Sequence, residues 1–429
     1  MPEFKTVRGM RDFLPEETRM MKYIENKARS VAESFGYQEI MTPIVESYEL
    51  LATKAGEEVR LRMFAFKDLG GRMVALRPEF TPSIARVVAT TLKNEPKPLR
   101  LFSVGSLYRY DEPQRGRYRE FWQSDFELVG SSRPEADAEV LMVTARLMER
   151  VGLKDYIFKV GHVGVLRGVL IDEGLNEKAQ NAVLQLMDKK QYEDSLVRLK
   201  DSGASEKCLT VSRGLIGLRG SNISETVEKM KTCVDGYEKA VAAVEDLKEI
   251  LKLVVDSGCK ITVNVEAGFA RGLEYYTGMI FEVYVPQLDV ALTGGGRYDK
   301  LVELFGGQPT PAVGVANGVD RMMLAMQEQK VTLKGTAEKK VIVISAGDET
   351  KSEALRISHL LKDAGITVEL EVMGRKMGKA LEDADRRKLD YAVIVGKKEF
   401  DEGKIVLKDL KRRKQTTVRI EELQETLKS

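Results

Sequence analysis

Histidine is nearly missing from this chain: 429 residues hold only His162 and His359. Two distant imidazoles argue against a histidine-based metal site and against Ser-His-Asp catalysis. Cysteine is as sparse. Cys208, Cys233 and Cys259 form no CxxC pair, which argues against a thiolate metal site or a disulfide framework and fits a reducing cytosol. No apolar run reaches the ~18 residues expected of a membrane span, and no signal-peptide pattern opens the chain. Neither sign of charge dominates. Lys and Arg total 68 against 66 Asp and Glu, so net charge does not announce a nucleic-acid binder. No GxxxxGK[ST] loop and no GxGxxG between a strand and a helix is present, which disfavours Walker-type and dinucleotide folds. There is no internal repeat and no low-complexity segment. The chemistry must therefore rest on Arg, Glu, Gln and Tyr.

The length suits two or three domains, and the 43% hydrophobic fraction is ordinary for a globular chain. After Pro15, Ile24, Ala28, Val31 and Phe35 recur at helical spacing. Residues 36–46 read as extended, with Pro43 suited to an edge or dimer-contact strand. Residues 64–68 and 73–77 read as a hairpin across Gly70-Gly71. A helix follows Pro82, and another spans about 135–151. Between 165 and 256 aromatic residues thin out and charged helical patterns dominate, so this stretch reads as a helical insertion interrupting a sheet. Strands resume at 260–265 and 278–285. The run Gly294-Gly295-Gly296 reads as a flexible turn, and residues 314–321 lead into a helix. A polar linker at 331–339 separates a core of residues 1–330 from residues 339–429. There, strands and helices alternate, which implies a small α/β domain.

The densest signal lies between Tyr108 and Glu127. It reads as a strand, a loop bearing Arg115, Arg117 and Arg119, and a returning strand. On that strand Trp122, Phe126 and Leu128 share one face; Phe121, Gln123, Asp125 and Glu127 share the other. About 13 Å separates the Gln123 and Glu127 backbones, so their side chains can address two ends of an amino-acid-sized ligand. The arginine loop offers charge enough to meet phosphates. Arg109 alone reads equally as a surface arginine. It is joined by Arg77-Pro78-Glu79-Phe80-Thr81-Pro82, Arg271-Gly272-Leu273-Glu274-Tyr275-Tyr276, and Asp320-Arg321. Arg321 opens a helix, where the dipole disfavours a cation and an anionic partner is invited. Taken alone, Tyr275 and Tyr276 read first as core aromatics with satisfied hydroxyls. Lys397-Lys398 and Lys411-Arg412-Arg413-Lys414 suit either a solvated hairpin or RNA backbone.

In this order, these stations resemble the histidyl-tRNA synthetase family of class II aminoacyl-tRNA synthetases, over nearly the whole chain. Three segments carry the family likeness: Leu76-Arg77-Pro78-Glu79-Phe80-Thr81, Ala270-Arg271-Gly272-Leu273-Glu274-Tyr275-Tyr276-Thr277-Gly278, and Gly294-Gly295-Gly296-Arg297-Tyr298-Asp299. Residues 36–46, 109–127 and 314–321 resemble the three class motifs, the first of them at a dimer interface. The resemblance implies an α+β catalytic core with an antiparallel sheet flanked by helices, the helical insertion, and a C-terminal α/β anticodon-binding domain. It implies a ligase that activates histidine with ATP, accompanied by Mg²⁺, and transfers it to tRNA(His), as a cytoplasmic homodimer. Glu79, Thr81, Gln123 and Arg271 would hold the amino and carboxylate groups of histidine. Glu127 and Tyr276 would address the imidazole, with Tyr275 and Tyr298 completing the pocket. Arg109 would grip the ATP α-phosphate, Arg321 the γ-phosphate and Arg117 the phosphate tail, while Asp111 and Phe121 would contact adenine. Arg109 and Arg271 would be catalytic, and no metal would be held by protein ligands alone. The insertion would meet the tRNA acceptor arm and the last domain the anticodon. Asp111 and Glu274 depart by one methylene from the residues common there; Phe80 and Asp125 look archaeal or eukaryotic, Gln114 bacterial. An alternative is a related histidine-sensing regulatory subunit of ATP phosphoribosyltransferase, which usually lacks the last domain and the ATP-site arginines.

Overall fold

The computed structural model describes residues 4–428 apart from 54, 272 and 334–338. The expected linker falls largely on 334–338, outside the described residues, as does Gly272. The chain divides into two compact units, Met1–Leu333 and Lys334–Ser429.

The first unit is built on a nine-stranded sheet. Its order is Gln38–Glu39, Leu99–Tyr108, Glu120–Val129, Ala312–Gly318, Thr293–Arg297, Met279–Tyr284, Ile157–His162, Thr262–Glu266, Arg219–Gly220. Gln38–Glu39 runs parallel to its neighbour, and so does Thr262–Glu266 to Ile157–His162. The pairings between them are all antiparallel, so the sheet is mixed at its margins.

Alternation along the central strands gives the sheet two unlike faces. One carries Phe102, Phe126 and Phe281, all fully buried. Phe126 packs edge-on to Tyr37 and tilted against Phe102. Full burial of each such ring is worth about 1.5–3 kcal/mol. The helix Pro15–Ser34 buries Met21, Ile24, Ala28, Val31 and Ala32 at helical spacing. It starts at Pro15, where a missing N–H costs nothing. Pro134–Val151 packs beside it and stops at Gly152, whose φ of 88° is left-handed.

The glycine run is the clear departure from the sequence reading. Residues 294–296 are not a turn; they lie within the strand Thr293–Arg297, paired on both sides in the middle of the sheet. Close approach, rather than flexibility, explains them. A Cβ at Gly295 would sit 2.4 Å from the Gly314 carbonyl oxygen and 2.8 Å from the Phe281 ring. One at Gly296 would meet the Met279 carbonyl oxygen at 2.6 Å.

Residues 163–256 form six helices, Val163–Asp172 to Glu238–Asp256, and the short strand Arg219–Gly220, which joins the edge of the main sheet. Glu238–Asp256 packs on Val163–Asp172 and on Pro134–Val151.

The second unit has a five-stranded sheet ordered Thr367–Leu370, Lys340–Ser345, Tyr391–Val395, Lys404–Asp409, Lys414–Arg419. Its first pairings are parallel and its last two antiparallel. Apolar clusters cover both faces, one around Val341 and Leu361, the other around Ile342 and Ala384. Lys411 to Lys414 turn the final hairpin; Lys411 pairs with Asp390 at 2.5 Å.

A buried ion pair fixes the central sheet to its helix layer. Arg297 Nε donates to Asp137 Oδ1 and Oδ2 at 3.1 Å, and Arg297 Nη1 donates to the Ser131 carbonyl at 2.9 Å. Burial pushes the Asp137 carboxyl up to about 6, with the Arg297 guanidinium opposing. Asp137→Ala strands a buried guanidinium and lowers unfolding stability by about 3–5 kcal/mol in urea titrations at neutral pH; a loss under about 1 kcal/mol contradicts this role.

Candidate active site

The face of the sheet opposite the phenylalanines opens into a cavity of about 460 Å³. Register explains how it stays open. Glu127 stands across from Gly314, which pairs with Gly296 on the next strand. Asp125 stands across from Ala316, which pairs with Gly294 and then Glu282. The floor therefore has almost no side-chain volume. A Cβ on Gly314 would lie 1.6 Å from Glu127 Oε2, and one on Gly294 only 2.2 Å from Arg271 Nη1. Glycine lets the carboxylate and the guanidinium lie flat on the sheet.

The closed end is acidic and aromatic. Thr81 Oγ1 donates to Glu127 Oε1 at 2.7 Å, and the Tyr298 hydroxyl donates to Glu127 Oε2. The Tyr275 hydroxyl donates to Glu79 Oε2 at 2.9 Å. The Tyr275 ring lies 4.9 Å from Tyr276 and 5.8 Å from Tyr298. Glu79 Oε1 and Gln123 Oε1 are buried with no partner. Buried acceptors of this kind call for a donor, and a ligand ammonium is one.

The other end is cationic. Arg109 Nε donates to the Pro78 carbonyl at 2.9 Å, and its guanidinium lies 5.4 Å from the Phe121 ring centre. Arg321 donates to the carbonyls of Gly116 at 3.0 Å and Ala291 at 2.7 Å. Arg117 also lines the wall. Burial, together with Arg109, Arg117 and Arg271, pushes the Arg321 guanidinium down to about 10. A guanidinium depressed by burial and by neighbouring positive charge marks a place short of negative charge. Arg271 goes the other way. Burial lowers it, but Glu282, 2.6 Å away, together with Tyr276, Asp188 and Tyr275 outweighs that and holds it above its usual value.

All thirteen residues proposed from the sequence line this one cavity: Glu79, Thr81, Arg109, Asp111, Arg117, Phe121, Gln123, Glu127, Arg271, Tyr275, Tyr276, Tyr298 and Arg321. Asp111 reaches it already paired with Arg62 at 2.9 Å. The arginine loop is less generous than its composition implied. Only Arg117 of its three arginines faces the cavity. Arg115 pairs with Glu328, and Arg119 stacks 3.6 Å from the Tyr110 ring centre. Arg77 is likewise structural, donating to the Thr42 and Ser106 carbonyls. His162 sits away from the cavity, facing Asp246 at 3.1 Å. Sequence reasoning passed over Glu282, Arg62, Asp188 and Lys189, which also line the wall. Glu282 had a signal: it is the lone acid in the apolar strand Met279–Tyr284. Asp188 and Lys189 lie at the end of an insertion helix and had none.

Burial dominates the acids. It lifts Glu127 from its usual 4.5 to about 7, against the bonds from Tyr298 and Thr81. It raises Glu79 and, with the charges of Glu127 and Glu79, pushes Asp125 well up. The sign for stability follows. A carboxyl whose folded value is raised favours folding fully below its unfolded value and loses that contribution as pH rises through the folded one. Without ligand, the protein should lose stability relative to Glu127→Gln between about pH 4.5 and pH 7. The loss is on the order of 3 kcal/mol and levels off above that window. Thermal unfolding of both proteins across this range checks it; a difference that does not vary with pH refutes it.

A glycine-floored sheet with an acidic pocket joined to a guanidinium cluster is the core of a class II aminoacyl-tRNA synthetase. The comparisons narrow the class. Residues 9–322 match the family described as histidyl-tRNA synthetase, and residues 340–429 match the anticodon binding domain. The histidine–tRNA ligase of Methanocaldococcus jannaschii is 42% identical over 98% of this chain and 98% of its own. That of Sulfolobus acidocaldarius is 40% identical over 100% and 99%. The crystal structure of histidyl-tRNA synthetase from Nostoc sp. PCC 7120 shares the fold, with a TM-score of 0.81 at 24% identity over 100% of this chain and 99% of that one. The chain belongs to the histidyl-tRNA synthetase family.

Proposed function

We propose that this chain is a histidine–tRNA ligase, which joins histidine to ATP as an adenylate and then transfers it to the 3′ end of tRNA(His). One observation carries the reading: an acid end and a guanidinium end share one cavity. Glu127 reads the imidazole N–H, steadied by Thr81 and Tyr298, with Tyr276 beside it. Glu79, Thr81 and Gln123 take the ammonium, which supplies the donors that two buried acceptors lack. Arg271 holds the carboxylate.

The carboxylate is already ionised, so attack on the α-phosphorus needs no side-chain base. An oxygen–phosphorus bond forms as the bond to the leaving pyrophosphate breaks. Arg109 and Arg271 offset repulsion between two anions and stabilise charge gathering on the α-phosphate. Arg321 holds the γ-phosphate and Arg117 the tail, while Phe121 and Asp111 contact adenine. Among the described residues no three acidic, thiol or imidazole side chains converge on a metal position. That donor set fits Mg²⁺ arriving on ATP, held mainly by phosphate oxygens and water. The ion offsets charge on the departing phosphates. In the second step a terminal ribose hydroxyl of tRNA attacks the carbonyl carbon, and AMP leaves with its phosphate available to accept the proton.

Residues 340–429 take the anticodon and the 165–256 insertion the acceptor arm. Residues 36–46 serve a homodimer interface, a role that suits Met41, which is 90% exposed. The three scattered cysteines suit the cytoplasm. The regulatory-subunit alternative is not favoured: Arg109, Arg271 and Arg321 are all present, and the curated ligases match the whole chain.

Histidine-dependent exchange between ATP and pyrophosphate tests the activity; exchange driven by another amino acid, or by none, overturns it. Glu127→Ala should weaken histidine activation by about 10²–10³-fold while ATP binding changes little, because of the two substrates the carboxylate meets only histidine. Equal loss of both removes the assignment. Arg271→Ala should slow adenylate formation by about 10²-fold or more; a near-normal rate removes its catalytic role.

A further inference from the structure

Among the acids that line the cavity, Glu282 bonds directly to Arg271. Glu282 follows Phe281 on the strand Met279–Tyr284 and lies across from Gly294. By charge alone a carboxylate there opposes an anionic ligand, so its place needs another reason. Its contacts provide one. Oε1 accepts from Arg271 Nη1 at 2.6 Å, and Oε2 accepts from the Tyr284 hydroxyl at 2.6 Å. Tyr284 is two residues along and so on the same face of the sheet. Burial and the Glu282 charge raise its phenol pKa, so it remains a donor at neutral pH.

Arg271 is held from below as well. Its guanidinium lies across Gly294, where a side chain cannot fit. Its Nε is buried with no partner. A guanidinium is planar, so one anchored terminal nitrogen and a flat floor together set its plane and the edge it presents. A flexible arginine reaching over the sheet would have to be ordered in the transition state instead, and misplacement of reacting groups by about 1 Å can slow a reaction about 10²-fold.

We propose that Glu282 and Tyr284 are positioning residues for histidine activation: Tyr284 orients the Glu282 carboxylate, and Glu282 fixes the Arg271 fork against Gly294. The inference rests on the role given to Arg271 above. Tyr284 does not line the cavity, so it reaches the chemistry only through Glu282. Glu282 therefore lowers the net charge of the arginine cluster while giving its most strongly paired member a fixed direction.

The test is histidine-dependent ATP–pyrophosphate exchange on the full-length chain, wild type against Tyr284→Phe, Glu282→Gln and the double variant, with thermal midpoints for each. Tyr284→Phe removes one hydroxyl donor to a charged group and should lower kcat about 3–10-fold, with KM for histidine and ATP within about twofold and the midpoint unchanged. Glu282→Gln should lower kcat about 10²-fold. The double variant should match Glu282→Gln, because the hydroxyl acts through the carboxylate. Wild-type rates in Tyr284→Phe, losses that multiply in the double variant, or a rise in KM in place of a fall in kcat each overturn the inference. So does rescue of Glu282→Gln by excess Mg²⁺, which would make the carboxylate a metal ligand. Absence of exchange in the wild type overturns the functional reading and this inference with it; an inactive Arg271→Ala beside a fully active Tyr284→Phe overturns the inference alone.

Discussion

Burial of carboxyl groups without full compensation is the constraint on which the site depends. Glu79, Asp125 and Glu127 are at most 4% exposed, and burial raises all three. Keeping such groups dry costs a fold stability, and two of them, Glu79 and Glu127, line the cavity. They persist because Thr81, Tyr275 and Tyr298 satisfy some of their oxygens, and because the free ones await donors. Discrimination then comes from what is left unpaired when the wrong molecule enters. A ligand that fails to meet Glu127 leaves a desolvated acid behind, a penalty larger than any single favourable contact in water.

The same sheet keeps opposite charges apart. Strand register places Glu127 beside Gly314 and Gly296, and Glu282 beside Gly294. Missing side chains on neighbouring strands give each charged group its own flat resting place. Glu79 and Glu127 therefore mark one end and the guanidinium groups the other, where burial and its arginine neighbours push Arg321 down to about 10. A cluster held in that state draws anions strongly, and the ligand relieves the repulsion that the fold sustains. Rigidity is needed for this to work. The Asp137–Arg297 pair ties the glycine strand to the helix Pro134–Val151, so the floor cannot sag toward the ligand.

Much of this was legible in the chain. Alternation from Phe121 to Glu127 separated a core face from a ligand face; Phe126 is buried in the core and Phe121, Gln123 and Glu127 line the cavity, but Trp122 lines it too and Asp125 does not. Helix starts at Pro15 and Pro134 carry local signals that the fold obeys. Three features were not legible, each because it depends on distant strands. The glycine run looked like a turn, since only its neighbours Phe281, Gly314 and Arg271 reveal that it is a place of close approach. Arg115 and Arg119 looked equivalent to Arg117, since nothing local tells that Glu328 and Tyr110 claim them. The insertion helix Glu177–Asp188 brings Asp188 to the cavity, and no spacing in its sequence announces that.

Glu127, lifted to about 7 by burial, waits partly protonated and ionises against its ligand. Infrared difference spectroscopy of histidine addition near pH 7 reads this directly. A protonated carboxyl carbonyl band should be lost on binding, and that change should be absent in Glu127→Gln. A band that stays, or one that is lost equally in the variant, contradicts it.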